Sequence, residues 1–321
     1  MKYLVHIGYA KCGSSFLQST LFNGSHPEIG VLDTPQRAGA AAGYRKSGGK
    51  LFIDTEVEHG AGHVGYTPFA FDFDAGRERL GQYVTQDKPW TVLSNEDWAG
   101  HPISGGTHAG TVATRIKGLL PEAKILIVIR EQRAMLLSAY AHFLTMFSGR
   151  VRLKSYLMPS SSAHIPTYSP HFYQFSHLIS HYRESFGAEN VKVLPLEQMV
   201  GNPSETLGEI CDFISVSEPV EVPVARQNRR DYRHYALLRD ATFLNAMGRR
   251  HVANGYSSGR LGNLSKQIGW LGRLYPDWRV KQVLARDRKI IEAHLAPYIR
   301  RDNQVLSEML ELDLGALGYL T

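Results

Sequence analysis

The amino-terminal part of the chain joins a short apolar strand to a helix through a loop bounded by two glycines. Residues 2–7 are rich in β-forming side chains, and from residue 14 to residue 22 the apolar residues recur at helical spacing. Gly8 and Gly13 bound the loop between these segments. Such a turn directs several backbone N–H groups and the positive end of a helix dipole at one point, which favours phosphate or sulfate. We therefore expect an oxyanion to bind at this loop.

Strands and helices are predicted to alternate along the rest of the chain. Short apolar runs typical of strands in a parallel sheet occur at 89–93, 123–129 and 191–194. Apolar residues at helical spacing predict helices over 107–120, 132–147, 172–186, 231–247 and 277–295. A further helix is predicted to begin at Pro203, with Asn202 as its cap. This alternation favours an α/β fold with a central parallel sheet flanked by helices, in one domain that spans residues 1–321.

The composition excludes several classes of protein. Of the 321 residues, 43% are hydrophobic and 21% are charged, which is usual for a globular chain and unusual for a disordered or fibrous one. No apolar run approaches the roughly 20 residues of a membrane-spanning helix, and the first residues lack the features of a signal peptide. A cytoplasmic protein without a membrane span is therefore expected. With only Cys12 and Cys211, neither a disulfide framework nor a four-cysteine zinc site can form.

The order of residues in the loop departs from the P-loop of nucleoside triphosphatases, whose pattern is G-x-x-x-x-G-K-[ST]. Gly8 and Gly13 have the separation of the two glycines, but Ser14 stands where that pattern has its lysine. The lysine of this chain is Lys11, inside the loop, from where its side chain can arch over the loop toward a bound group. The sequence therefore disfavours an ordinary ATPase.

A lysine inside such a loop resembles the 5′-phosphosulfate loop of sulfotransferases, which use 3′-phosphoadenosine-5′-phosphosulfate (PAPS). In that family the 3′-phosphate is bound by an arginine that ends a strand and by a serine eight residues further on. Arg130 and Ser138 have this spacing. The resemblance, which is to the bacterial and carbohydrate-modifying branch, implies a P-loop-like fold, PAPS as donor and 3′,5′-adenosine bisphosphate (PAP) as product. It also implies that no metal is required.

The resemblance assigns a set of residues to the donor. The expected donor-binding residues are Lys11, Cys12, Gly13, Ser14, Ser15, Phe16, Arg130, Ser138 and Asn228. Among them, Lys11 is also expected to neutralise charge on the leaving oxygen during in-line transfer. Asn228 lies in a late stretch that the family often closes over the nucleotide. Glu131 departs from the family pattern, which has a small residue or proline after the arginine.

A base for the acceptor is expected at the end of another strand. Residues 93–96 resemble the strand end that supplies a catalytic glutamate in heparan-type sulfotransferases. We therefore expect Glu96 to take the proton from the acceptor hydroxyl. His101, His108 and His142 are alternative bases. His6, on the first strand, is interpreted as a hydrogen-bonded core histidine.

Two irregular stretches, 23–88 and 150–170, interrupt the alternation of strands and helices. Long loops in compact domains are usually functional, so we expect both to be insertions that bind a hydroxyl-bearing acceptor, a carbohydrate or another small molecule. His59 and His63 lie in the first stretch, but its glycine-rich surroundings offer no third ligand, which disfavours a metal site. The identity of the acceptor and the oligomeric state stay open.

Two other functions stay open as alternatives. A nucleotide-dependent kinase would use the same P-loop architecture, but it would need Mg²⁺ ligands and a lysine followed by serine or threonine after Gly13. A non-enzymatic protein that binds nucleic acid or another polyanion would fit the net charge of +6. The basic runs at 227–230 and 247–251 are short and lack an aromatic platform for bases, so no nucleic-acid partner is expected.

Overall fold

Five strands of the described chain form one parallel sheet. The computed structural model describes residues 2–31, 71–84, 87–100, 102, 105–146, 152–158, 168–217, 232–245, 272 and 274–321. The strands are β1 Lys2–Gly8, β2 Ile29–Val31, β3 Trp90–Asn95, β4 Lys124–Ile129 and β5 Val191–Pro195. Their order in the sheet is β2-β3-β1-β4-β5. The predicted α/β fold with a central parallel sheet is confirmed.

Helices connect and cover these strands. They are α1 Ser14–Ser19, α2 Phe73–Tyr83, α3 Ala109–Leu119, α4 Gln132–Met146, α5 Leu153–Tyr156, α6 Phe175–Phe186, α7 Leu196–Gly201, α8 Pro203–Ile214, α9 Tyr232–Asn245 and α10 Asp277–Leu310. Two 3₁₀ turns, Pro170–Tyr173 and Ala188–Asn190, flank α6. No helix within these described ranges combines the length and the apolarity needed to cross a bilayer.

Several predicted boundaries were wrong. α1 ends at Ser19, three residues early, because the chain turns back as the Phe22 amide donates to the Leu17 carbonyl, 2.8 Å away. α10 was predicted to end at residue 295 but continues to Leu310, passing through Pro297. The buried face of α10 packs against α4, α6 and α9, and this contact outweighs the one hydrogen bond that a proline removes.

The start of α8 is partly as predicted. Pro203 is the first residue of the helix, where a proline loses no hydrogen bond that the helix would make. Asn202 precedes it, but its side chain makes no capping bond to the backbone and instead donates to the Glu205 carboxylate. The Thr206 hydroxyl donates to the Asn202 carbonyl at 3.0 Å. Asn202 is therefore the cap residue by position, as predicted, but its side chain does not bond to the helix backbone.

The sheet brings three strand ends to one edge. β1 lies between β3 and β4, with Ile7 paired to Asn95 and Gly8 paired to Val128. Because all three strands are parallel, the loop after Gly8 and the residues after Asn95 and Ile129 leave the sheet on the same side. The strands that follow β1 in the chain lie on both of its sides, β3 on one and β4 on the other. Open α/β sheets bind ligands at such a change of direction in the strand order.

Candidate active site at the carboxyl edge of the sheet

The loop after β1 has an unusual backbone at two positions. Lys11 has φ of 72° and Gly13 has φ of 87°, both in the left-handed region. For Lys11 this conformation costs roughly 1–2 kcal/mol, so the surrounding structure holds the lysine against a local preference. At Gly13 a Cβ would stand 2.5 Å from the Met199 side chain and 2.7 Å from that of Leu196. The positive φ at position 13 therefore favours glycine, and any side chain there would also require Met199 and Leu196 to move.

Ser14 begins α1 and is the most buried hydroxyl of the loop. It is 3% exposed, and its Oγ atom has no hydrogen-bond partner among the described residues. A buried hydroxyl without a partner costs free energy, so native structures normally supply one. A bound oxyanion would supply an acceptor for this hydroxyl. The loop thus fits the phosphosulfate group that the resemblance implies.

The backbone N–H groups of two other loop residues donate within the loop. The Cys12 amide donates to the Tyr9 carbonyl at 3.1 Å, and the Phe16 amide donates to the Gly13 carbonyl at 2.9 Å, so both N–H groups are used within the loop. The Cys12 thiol is fully buried against Met135, and burial raises its pKa far above the usual range. Cys12 is therefore a protonated core thiol. Ser15 is half-buried.

Arg130 follows β4 and is joined to the loop. Its Nη1 atom donates to the Lys11 carbonyl at 3.0 Å, so the strand end and the loop are held together. Ser138 lies in α4 and is buried at 8% exposure rather than facing solvent. The next residue, Ala139, lines a pocket together with Lys11, which places this part of α4 beside the loop.

That pocket contains both residues expected to carry the chemistry. It has a volume of about 40 Å³, and Lys11, Glu96, Asp97 and His142 are among the residues that line it. His142, one of the alternative bases, therefore shares the pocket with Glu96. His108 is buried, with Nε2 at 3.0 Å from the Asp97 carbonyl oxygen.

Some predicted residues cannot be placed at this site. Asn228, His101, His59 and His63 lie outside the described residues, as do most of the stretches 23–88 and 150–170. Within the part of the chain that is described, no cluster of three or more histidine, cysteine, aspartate or glutamate side chains is arranged to hold a metal ion.

Residues behind Arg130 fix the end of β4. The Glu131 carboxylate accepts from the amides of Arg133 and Ala134, at 3.1 and 2.8 Å, and so caps the start of α4. The Glu197 carboxylate accepts from the Glu131 amide at 3.1 Å and from the Tyr319 hydroxyl at 3.0 Å. Burial raises the pKa of Glu197. Sequence reasoning missed Glu197, because its contacts with Glu131 and Tyr319 span more than sixty residues.

His6 is confirmed as a hydrogen-bonded core histidine. It is fully buried on β1, and its Nδ1 atom lies 2.7 Å from the Ser94 hydroxyl. Gln18, on α1, donates to the same hydroxyl at 3.0 Å. Burial lowers the pKa of His6 to about 3, so the ring is neutral at physiological pH. Sequence reasoning missed Ser94 and Gln18, since the pairing of His6 with Ser94 depends on the register of β1 against β3.

Comparison with known proteins adds a family match. Residues 106–219, which include Arg130 and Ser138, match the model of a sulfotransferase family. The match confirms, for that segment, the resemblance to sulfotransferases found in the sequence. No curated protein sequence matched the chain.

Three solved structures to which the chain is similar are described as sulfotransferases. A sulfotransferase from Alicyclobacillus acidocaldarius has 22% identity and a TM-score of 0.49, over 79% of this chain and 98% of that one. The sulfotransferase domain of the Synechococcus PCC 7002 olefin synthase has 14% identity and a TM-score of 0.40, over 84% and 93%. A mouse sulfotransferase complexed with PAP has 13% identity and a TM-score of 0.38, over 89% and 82%.

Proposed function

We propose, on the premise that residues 106–219 match a sulfotransferase family, that this chain transfers a sulfuryl group from PAPS to an acceptor hydroxyl, the reaction class EC 2.8.2. The observation that carries the proposal is the pocket at the carboxyl edge of the sheet, which Lys11 and Glu96 both line. A cation and a carboxylate on one pocket match the two demands of this transfer. One group must offset charge on the leaving oxygen, and another must take the acceptor's proton.

The donor would occupy the loop and the end of β4. Gly13, Ser14 and Ser15 would hold the 5′-phosphosulfate, for which the partnerless buried hydroxyl of Ser14 is the main support. Arg130 uses one N–H group on the Lys11 carbonyl, and its other donors suit a terminal phosphate, with Ser138 adding a hydroxyl. Asn228 would close over the nucleotide. PAPS supplies the sulfuryl group, already joined to a phosphate leaving group.

Lys11 and Glu96 would divide the chemistry between them. Glu96 takes the proton from the acceptor hydroxyl as the new oxygen–sulfur bond forms. The bond between sulfur and the bridging oxygen breaks at the same time, and its electron pair stays on that oxygen. The Lys11 ammonium offsets this negative charge, and no metal is needed in this scheme. His142 is the alternative base, since it lines the same pocket.

A carbohydrate hydroxyl is the acceptor class that we favour, because residues 93–96 resemble the strand end of heparan-type sulfotransferases. The stretches 23–88 and 150–170 would form the acceptor-binding walls of a single domain. Incubating the protein with labelled PAPS and panels of sugars, phenols and lipids tests this choice. Labelling of phenols alone would contradict it.

Thermal shift measurements test the donor. PAP should raise the melting temperature more than ATP with Mg²⁺ does, because a ligand that binds only the native state stabilises it. A larger shift with ATP and Mg²⁺ would favour the kinase alternative and overturn the proposal.

Four variants test the roles of individual residues. Lys11→Ala should lower kcat roughly 100-fold or more while PAP still binds, and Arg130→Ala should weaken PAP binding about 10-fold or more. Lys281→Ala, which removes an exposed lysine on α10, is the matched control and should change neither value. Glu96→Gln should lower kcat without weakening PAP binding. Full activity in Glu96→Gln, with loss of activity in His142→Gln, would assign the base to the histidine.

A further inference from the structure

Two buried polar atoms face the same point beside Gly8. A Cβ built on Gly8 would lie 2.6 Å from the Ser14 Oγ atom and 3.4 Å from the His6 Nε2 atom. Both residues are buried, at 3% and 0% exposure, and neither atom has a hydrogen-bond partner among the described residues. Since glycine carries no side chain, the space between the histidine and the serine stays open. The two partnerless atoms therefore border the same small space beside Gly8.

The opposite side of the His6 ring determines which nitrogen carries the hydrogen. The amide nitrogen of Gln18 can only donate, so the Ser94 hydroxyl accepts from it, at 3.0 Å. The same hydroxyl lies 2.7 Å from His6 Nδ1 and can donate its own hydrogen there. A neutral imidazole that accepts at Nδ1 carries its hydrogen on Nε2. This tautomer directs an N–H group toward Ser14.

We propose that His6 is a positioning residue, whose Nε2–H group holds the Ser14 hydroxyl in the orientation that donates to an oxyanion in the loop. The proposal rests on the proposed function, since it concerns how the loop binds the phosphosulfate. With an anion bound, each member accepts from the one before it, in the order Gln18, Ser94, His6, Ser14, and Ser14 donates to the anion; the link from His6 to Ser14 is the one that the described structure does not contain. We call this chain of hydrogen bonds the serine relay.

The opposite direction of the relay would work against anion binding. If Ser14 donated to a bare Nε2 atom, its oxygen would present only lone pairs to the bound group, and these repel an anion. The relay adds no net charge, because burial lowers the pKa of His6 to about 3 and keeps the ring neutral. Its contribution to binding should therefore stay constant at neutral pH, unlike that of a charged histidine.

Calorimetric titration with PAP measures how much the serine relay contributes to PAP affinity. His6→Phe preserves the ring that packs on Phe22, with centroids 5.7 Å apart, but removes both nitrogens. It should weaken PAP binding about 10-fold and raise KM for PAPS more than it lowers kcat. Ser94→Ala should act in the same direction. Thr91→Val is the matched control, because Thr91 is buried on β3, the strand that carries Ser94, and its hydroxyl has no partner among the described residues. It should leave PAP affinity unchanged.

A double-mutant cycle separates positioning from general packing. In a Ser14→Ala background, His6→Phe should have little further effect on PAP affinity, because the hydroxyl that it orients is gone. Equal effects of His6→Phe in the presence and absence of the Ser14 hydroxyl would overturn the proposal. Gly8→Ala offers a second route, since its methyl group would fill the space between His6 and Ser14. It should weaken PAP binding as His6→Phe does, and wild-type affinity in Gly8→Ala would contradict the relay.

The ring tautomer can be measured without any enzymatic assay. Nitrogen-15 NMR of the His6 imidazole distinguishes a protonated nitrogen from a bare one, and the relay requires hydrogen on Nε2 in the wild-type protein with and without PAP. Hydrogen on Nδ1 in both states would overturn the proposal. If wild-type protein does not bind PAP, the proposed function fails, and hydrogen on Nδ1 would then overturn the relay independently of that failure.

Discussion

Acidification should destabilise this protein through His6. The side chain is fully buried, and burial lowers its pKa to about 3, whereas a histidine in an unfolded chain has a pKa near 6.5. Below about pH 6.5 the His6 imidazole takes up a proton in the unfolded chain but stays neutral in the folded chain. Stability contributed by the neutral ring is therefore complete above that pH and is lost as the pH falls toward 3.

The expected size of the effect follows from the two pKa values. Each pH unit inside the window costs about 1.4 kcal/mol, so His6 alone should remove about 2 kcal/mol from the free energy of unfolding between about pH 7.5 and pH 5. His294 acts in the same direction, because burial lowers its pKa as well. Glu197 and Asp302 act in the opposite direction, since burial raises the pKa of each carboxyl.

Urea unfolding at the two pH values, on wild type and on His6→Phe, isolates the histidine. The variant should be less stable at pH 7.5, because the Ser94 hydroxyl loses a partner, but it should lose about 2 kcal/mol less than wild type on acidification. The other titrating groups are common to both proteins and cancel in the comparison. Equal losses in the two proteins would refute the reasoning, because they would show that His6 is not buried in the neutral form.

Two further perturbations have expected effects on stability. Asp287→Asn should lower the free energy of unfolding in urea by about 3–5 kcal/mol. Arg239 and Asp287 form a buried pair with two hydrogen bonds of 2.7 and 2.8 Å, so the variant would leave the arginine with an uncompensated charge. A loss below about 1 kcal/mol would contradict this. Gly13→Ala should lower the melting temperature and abolish PAP binding, because it combines a positive φ with contacts under 3 Å to Met199 and Leu196. Wild-type PAP affinity in this variant would show that the loop geometry is unimportant.

The sequence predicted the elements whose signals are local. β4 is a continuous apolar run because it is buried on both faces. β1 is followed by two glycines, Gly8 and Gly13, whose separation is typical of a phosphate-binding loop between a strand and a helix. Arg130 lies close enough to the loop to contact it, since both follow adjacent parallel strands. These features depend on residue type and order alone.

α2 was missed because tertiary contacts stabilise it. Phe73–Tyr83 contains two glycines and few apolar positions, which made the stretch look irregular. The structure packs Phe73 against Gly118 of α3, where the absence of a side chain leaves room for the ring. Arg77 adds a hydrogen bond of 3.2 Å to the Gly118 carbonyl. No periodicity in the sequence of α2 could have indicated a partner forty residues away.

The candidate site was predictable only where a motif covered it. Lys11 and Glu96 were named from the loop and a strand end, but their common pocket depends on how β3 and β1 pair. Gln18 bonds to Ser94 and Glu197 bonds to the Glu131 amide. Both are polar residues on short helices and look like solvent-facing positions in the sequence. Their roles come from contacts across the sheet edge, which the order of residues does not encode locally.

The contacts that hold the Glu131 amide have a consequence for biosynthesis. The carboxylate that holds the Glu131 amide comes from position 197, and the phenol that completes it comes from position 319. A growing chain can therefore finish β4 on the ribosome long before the partners that secure its end have been made. Because these contacts join distant parts of the chain, the edge of the sheet that would bind PAPS should form slowly and late in folding. Chaperones that shield nascent chains should therefore increase the yield of folded protein.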